Sequence, residues 1–278
     1  MVKNIQLKAL ILAGGKSSRM GEDKASLKIG DQTLLNRTRD LLSEFTSEIH
    51  LSVAHEAQDS ASSLKQLPDL EPSPGPLGGL QAAFHHDPDS HWLLLAVDLP
   101  RITRDDLSQL VTSHDPQKDV TCFLNPLDDH PEPLCALYSP SASAKLDHVI
   151  SENRRCARRF LRSLDRTELS PSDPQALLNL NRPEHLAELQ HLHQNGTVEK
   201  ELTIEYFAKL SQEAGTNSEK IRTSTATLTG LWEEVRLRHH LSLDLPQIKP
   251  AINDAFTDWG SPLTAGDRIA FMPPFAGG

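Results

Sequence analysis

Apolar positions follow two rhythms along this chain. Leu7 to Leu12 (LKALIL) is a short apolar run stopped by Gly14-Gly15. Too brief for a helix, it reads as a buried strand. From Thr33 to Phe45 the apolar residues fall at 34, 35, 38, 41, 42 and 45, a helical period. Ile49 to Ala54 suggests a second strand, and Gly78 to Phe84 a helix start. His91 to Val97 (HWLLLAV) is the strongest buried strand, ending at Asp98-Leu99-Pro100. A short helix over Asp105 to Val111, strands over Val120 to Leu124 and Leu134 to Tyr138, an arginine-rich helix over Leu146 to Leu164 and a helix over Leu186 to Leu192 follow. His55 to Ser63 and Asp69 to Gly75 read as surface loops. Strands alternating with helices at this spacing predict an α/β sheet covered on both faces.

The pattern starts afresh after a polar stretch, Gln194 to Lys200, in which Asn195-Gly196 is a turn signal. Leu202, Ile204, Tyr206 and Ala208 alternate with polar residues as in an edge strand. Leu210 to Ala214 predicts a short helix and Thr227 to His240 a longer one. Ile248 to Asn253 and Arg268 to Met272 read as strands, with turns at Asn253-Asp254 and Ala265-Gly266-Asp267. The expected division is residues 1–194, a linker at 195–201, and a small α+β domain at 202–278.

Composition narrows the classes. The 278 residues carry 28 basic and 38 acidic side chains, a formal net charge of -10, which argues against a general nucleic-acid coat or a polybasic membrane anchor. The arginines between 154 and 166 lack the interleaved aromatics of a base-stacking surface, so no nucleic-acid partner is expected. No apolar run is long enough to span a bilayer. Three cysteines without metal-like spacing fit free thiols in a reducing, cytoplasmic compartment.

Candidate chemistry begins at Leu12-Ala13-Gly14-Gly15-Lys16-Ser17-Ser18-Arg19-Met20-Gly21-Glu22-Asp23-Lys24. This is neither a Walker A loop nor a dinucleotide fingerprint. Its glycines let backbone amides approach an anion, Arg19 offers a planar fork and Lys24 a point charge, so the loop suits a polyphosphate. Asp98 ends the HWLLLAV strand, and ligands of open α/β sheets bind beyond such ends. A carboxylate there is useful to a triphosphate when Mg2+ bridges them. The alternative is a plain turn with surface cations and a turn-capping aspartate. Gly75-Pro76-Leu77-Gly78-Gly79-Leu80 adds a tight loop where a planar base could lie against backbone.

These residues, taken together, resemble the signature of the molybdenum cofactor guanylyltransferases. The matching pieces are Leu12 to Gly15, Ser18 to Gly21, Asp23-Lys24, Gly75-Pro76-Leu77 with Gly79, Val97 to Pro100, Pro133-Leu134, Ala136 to Tyr138, Arg154-Arg155 and Leu178 to Glu184. The resemblance implies a Rossmann-like nucleotidyltransferase three-layer sandwich that transfers GMP from GTP to molybdopterin. It implies a nucleotide site of Leu12, Ala13, Gly14, Gly15, Lys24, Asp69, Gly79 and Asp98, with Arg19, Lys24 and Asp98 catalytic and Asp98 the Mg2+ ligand. Arg154, Arg155, Asn179 and Asn181 fall on its pterin side, while Arg162 and Arg166 read as a solvated helix face. Ala54-His55 stands where the family carries an asparagine.

Residues 202–278 resemble the small, sulfur-carrying subunit of molybdopterin synthase, a ubiquitin-like β-grasp protein. Ile204 to Leu210, Ala251 to Asn253, Leu263, Gly266-Asp267, Ile269 to Phe271 and the ending Pro273-Pro274 with Ala276-Gly277-Gly278 carry that likeness. It implies adenylation of Gly278 and a thiocarboxylate there. The implied partners are an adenylating enzyme of the ubiquitin-activating type, a sulfur donor and the molybdopterin synthase large subunit. Competing readings are a cytidylyl or sugar-phosphate nucleotidyltransferase, a sulfur carrier with an inactive first domain, and an interaction module without sulfur chemistry.

Overall fold

The computed structural model describes residues 5–13, 23–54, 63–71 and 75–273. Contacts divide the chain into two compact units, Met1–Asn179 and Leu180–Gly278.

In the first unit the elements run β1 (Leu7–Leu12), a two-residue hairpin of β2 (Lys28–Ile29) and β3 (Gln32–Thr33), α1 (Leu34–Ser43), β4 (Ile49–Val53), β5 (Lys65–Pro68), α2 (Pro76–His86), β6 (His91–Ala96) and α3 (Arg104–Thr112). They continue with β7 (Val120–Asn125), β8 (His130–Tyr138), α4 (Ala142–Ser151), α5 (Ala157–Arg162) and β9 (Arg166–Leu169). The main sheet has the order β5-β4-β1-β6-β8-β7-β9. The strands β5, β4, β1 and β6 are parallel neighbours, and β8 lies antiparallel between β6 and β7.

Side-chain alternation explains the layers. Leu10, Leu12, Leu94, Ala96, Ala136 and Tyr138 point to one face, where α2, α4 and α5 complete a single core cluster. The alternate residues Ala9, Ile11, Leu93, Leu95 and Leu137 are also buried but lie outside that cluster. Helix α1 packs on β1 and β4, and α3 packs on β8, without joining it. The result is the three-layer α/β arrangement expected. Thr33 caps α1 by accepting from Asn36 N, and Thr103 caps α3 in a capping box with Asp106.

One local expectation is corrected in this unit. The continuous arginine-rich helix over Leu146 to Leu164 is two helices. Asn153 takes a left-handed φ of 56° between them, leaving Arg154 and Arg155 on the connecting segment and Arg166 on β9. The strands β5 and β9 carry too few apolar residues to stand out in the sequence, yet both close the sheet edges.

The second unit holds α6 (Pro183–Asn195), β10 (Lys200–Tyr206), α7 (Lys209–Ala214), β11 (Ser218–Thr223), α8 (Leu228–His239), β12 (Lys249–Ile252), β13 (Ala255–Phe256) and β14 (Arg268–Met272). Its sheet order is β11-β10-β14-β12-β13, with β10 and β14 parallel and the other pairs antiparallel. Leu228, Leu231, Trp232 and Val235 of α8 pack across it, giving a β-grasp. The edge reading of β10 is overturned: it is flanked by β11 and β14. Alternation reports one buried face, which a central strand covered on one side shares with an edge strand. Trp259 joins Trp232 and Phe271 in an aromatic cluster.

The contact boundary precedes the compositional one because α6 belongs to the second unit. Glu188 is 1% exposed and accepts from Ala226 N (3.0 Å), Thr227 N (2.7 Å) and Thr227 Oγ1 (2.7 Å) at the start of α8. Gly230 is required beside it, since a Cβ there would overlap the Glu188 carboxylate.

Candidate functional site

The carboxyl ends of β5, β4, β1 and β6 share one edge, because these strands are parallel. Leu12 pairs with Ser52 on one side and Ala96 on the other, and Val97 N donates to Leu12 O at 3.1 Å. Asp98 therefore emerges beside Leu12 and Ala13, at the place where the glycine loop leaves the sheet. Lys24 returns to the same point. It opens a short 3-10 turn, Lys24–Ser26, whose cap is Asp23 accepting from Ala25 N at 3.1 Å. Lys24 Nζ donates to Asp98 Oδ2 at 2.9 Å, with side chains 12% and 20% exposed.

The other oxygen, Asp98 Oδ1, is buried and takes no hydrogen bond from any described residue. A shielded carboxylate oxygen with free lone pairs fits a hard divalent cation, and Mg2+ is commonly held by one or two carboxylates plus substrate phosphates. Among the described residues no group of three or more His, Cys, Asp or Glu is arranged to hold a metal ion.

The remaining expected residues are distributed as follows. Asp69 is half-buried at the carboxyl end of β5, its N–H donating to Val53 O at 2.9 Å. It lies on the same edge as Asp98 but three strand spacings away, roughly 14 Å. Gly79 is buried in α2, and a Cβ there would fall on Ser52 Oγ and stand 2.8 Å from Leu12 Cδ2. Its lack of a side chain lets α2 lie close against β1 and β4. Gly75 (φ 71°) begins that helix, and the Arg155 carbonyl stands 4.0 Å from where a Cβ on Gly75 would lie. Arg155 thus borders the entry to α2, whereas exposed Arg154 pairs with Glu152 at 2.5 Å. Asn179 ends the first unit and Asn181 belongs to the second. Gly14, Gly15, Arg19 and Gly278 lie outside the described residues.

Glu132 of β8 is a charged residue that the sequence pattern does not single out. It is 3% exposed, and Oε1 accepts from Leu134 N at 2.9 Å. Burial chiefly raises its pKa. The Leu134 N–H and Arg158 oppose that, while the charges of Asp98 and Asp128 add to it. Its signal in the sequence is an acid inside HPEPLCALY, at a position whose neighbours are buried.

Residues 9–168 match the family described as the MobA-like NTP transferase domain. The chain belongs to that family. Residues 204–278 of this MobA-like protein match the ThiS family. A molybdenum cofactor biosynthesis bifunctional protein of Synechocystis sp. is 30% identical over 191 residues, covering 68% of this chain and 55% of that protein. The chain thus spans little more than half of that relative. A probable molybdenum cofactor guanylyltransferase of Clostridium perfringens is 31% identical over 150 residues, covering 54% of this chain and 74% of its own. Molybdopterin-guanine dinucleotide biosynthesis protein A from Archaeoglobus fulgidus superposes with a TM-score of 0.57 at 22% identity, covering 66% of this chain and 97% of that one, a likeness of fold. The MobA-like unit is a nucleotidyltransferase fold whose relatives are molybdenum cofactor guanylyltransferases, followed by a ThiS domain. No helix among the described residues is long and apolar enough to cross a membrane.

Proposed function

We propose that the first unit transfers GMP from GTP to molybdopterin and that the second carries sulfur for molybdopterin synthesis. The observation that carries the transferase reading is the Lys24–Asp98 pair at the carboxyl edge, with Asp98 Oδ1 left unbonded by described residues. A phosphate oxygen of the acceptor attacks the α-phosphorus of GTP. The bond from that phosphorus to the β-phosphate bridging oxygen breaks, and pyrophosphate leaves with its electron pair.

Position and electrostatics do most of this chemistry. Asp98 would hold Mg2+ through Oδ1, and the ion when bound supplies charge neutralisation at phosphate oxygens. Lys24 fixes the Asp98 carboxylate through Oδ2 and presents an ammonium to the departing pyrophosphate. Arg19 is assigned the same neutralising role, with the Leu12 to Gly15 backbone cradling the phosphates and Asp69 and Gly79 on the nucleoside side. Arg154, Arg155, Asn179 and Asn181 are assigned to the pterin side.

The ThiS-family match supports the second activity. In this reading Gly278 is adenylated by an enzyme of the ubiquitin-activating type and becomes a thiocarboxylate that donates sulfur within the molybdopterin synthase large subunit. The test is incubation of the purified chain with molybdopterin, Mg2+ and each nucleoside triphosphate, followed by product mass. A guanylylated product with GTP alone supports the reading, and a cytidylylated product or none overturns it. Intact mass after adenylation and sulfuration checks Gly278 separately.

A further inference from the structure

We propose that Glu132 is a second carboxylate of the divalent-cation site centred on Asp98. This rests on the nucleotide-site reading of the sheet edge. It adds a ligand from a strand outside the parallel set.

Strand pairing brings the two segments together. β8 runs antiparallel to β6 with Leu95 opposite Cys135 and Leu94 opposite Ala136. The chain leaves β6 at Ala96 towards Asp98 beside the first half of β8, which holds Glu132. Leu94 and Ala96, which lead to Asp98, and Ala136 and Tyr138, which follow Glu132 in β8, share the core cluster beneath α2, α4 and α5. Electrostatics agrees, since the charge of Asp98 is felt at Glu132 and raises its pKa.

The bonding of Glu132 leaves room for a ligand. Oε1 is used by the N–H of Leu134 in its own strand, and Oε2 takes no hydrogen bond from any described residue. Arg158, whose charge also reaches Glu132, is bonded instead to Asp128 at 2.5 Å. A buried carboxylate that feels the charge of a second carboxylate with one unbonded oxygen is costly without a cation nearby. A divalent ion shared by Asp98 Oδ1 and Glu132 Oε2, completed by phosphate oxygens and water, removes that cost.

Mn2+ is the probe, followed by electron paramagnetic resonance on the full chain with GTP present. Glu132→Gln keeps an oxygen for Leu134 N and removes only the charge. Its Mn2+ affinity is expected to fall about tenfold or more, with the unfolding midpoint unchanged or raised. Glu132→Asp, which keeps the charge on a shorter arm, is expected to fall between Gln and wild type and provides a second reading should the Gln variant fold poorly. Wild-type affinity in Glu132→Gln overturns the proposal, as does a Glu132→Asp variant no better than Gln. Asp98→Asn separates the two claims. If it loses Mn2+ while Glu132→Gln does not, only Glu132 is removed from the site. If it binds Mn2+ as wild type does, the nucleotide-site reading itself falls.

Discussion

The ammonium of Lys24 meets Oδ2 of Asp98 at 2.9 Å, joining two residues 74 apart in sequence across the carboxyl edge of the parallel strands. Neither residue alone defines a site. Together they place a cation and a half-shielded carboxylate where the loop after β1 leaves the sheet, and this contact ties the local chemistry to the topology.

Replacing Lys24 by alanine leaves Asp98 without that partner. Transfer of GMP is expected to drop more than tenfold. Loss of a charge-assisted hydrogen bond at a partly buried site costs about 1–3 kcal/mol of stability. Steady-state rates beside urea unfolding, followed at Trp92, separate the two effects. Unchanged turnover removes Lys24 from the mechanism.

Gly79→Ala tests the packing account of the α2 glycines. The new methyl meets Ser52 Oγ and Leu12 Cδ2, and overpacking of this kind costs about 1–3 kcal/mol. Ser52→Gly is expected to recover part of the loss in the double variant. A Gly79→Ala protein as stable as wild type would show that α2 can move away from the sheet.

Histidines make the first unit acid-sensitive. Burial pushes His50 down to about 4, helped by the charges of His86, Lys65 and Lys8, and its ring nitrogens have no hydrogen-bond partner among the described residues. Burial likewise takes His114 to about 4, with His91 assisting. A depressed histidine pKa means the unfolded chain binds more protons between the two values. Stability from this source is full above about 6.5, is lost as pH falls towards 4, and then levels off. Urea midpoints against pH are expected to show that slope, reduced in His50→Leu. An identical slope in that variant would clear His50.

Glu188→Ala probes the α6 contact in the second unit. Two backbone N–H groups and the Thr227 hydroxyl lose their acceptor. The expected loss is about 1.5–3 kcal/mol, read from the fluorescence of Trp232 and Trp259. No change would mean that α6 is not integral to the β-grasp.

The sequence made some of this legible and hid the rest for identifiable reasons. The strands at Leu7–Leu12 and His91–Ala96 stood out because strands buried on both faces are continuous apolar runs, and that also fixed Asp98 at a strand end. The break at Asn153 was hidden because helical periodicity survives a single left-handed residue. Glu132 was hidden because strand pairing, absent from a one-dimensional pattern, is what brings β8 beside the strand that leads to Asp98. The ownership of α6 was hidden because a buried Glu188 looks like any polar residue on a helix until Thr227 is placed against it.

The central claim is that Asp98 organises guanylyl transfer at this edge. Its most direct test is the single-turnover rate of GMP transfer from Mg2+·GTP to molybdopterin by wild type and Asp98→Asn. The account predicts at least a tenfold slower rate in the variant with its unfolding midpoint little changed. Equal rates in two equally folded proteins would contradict it.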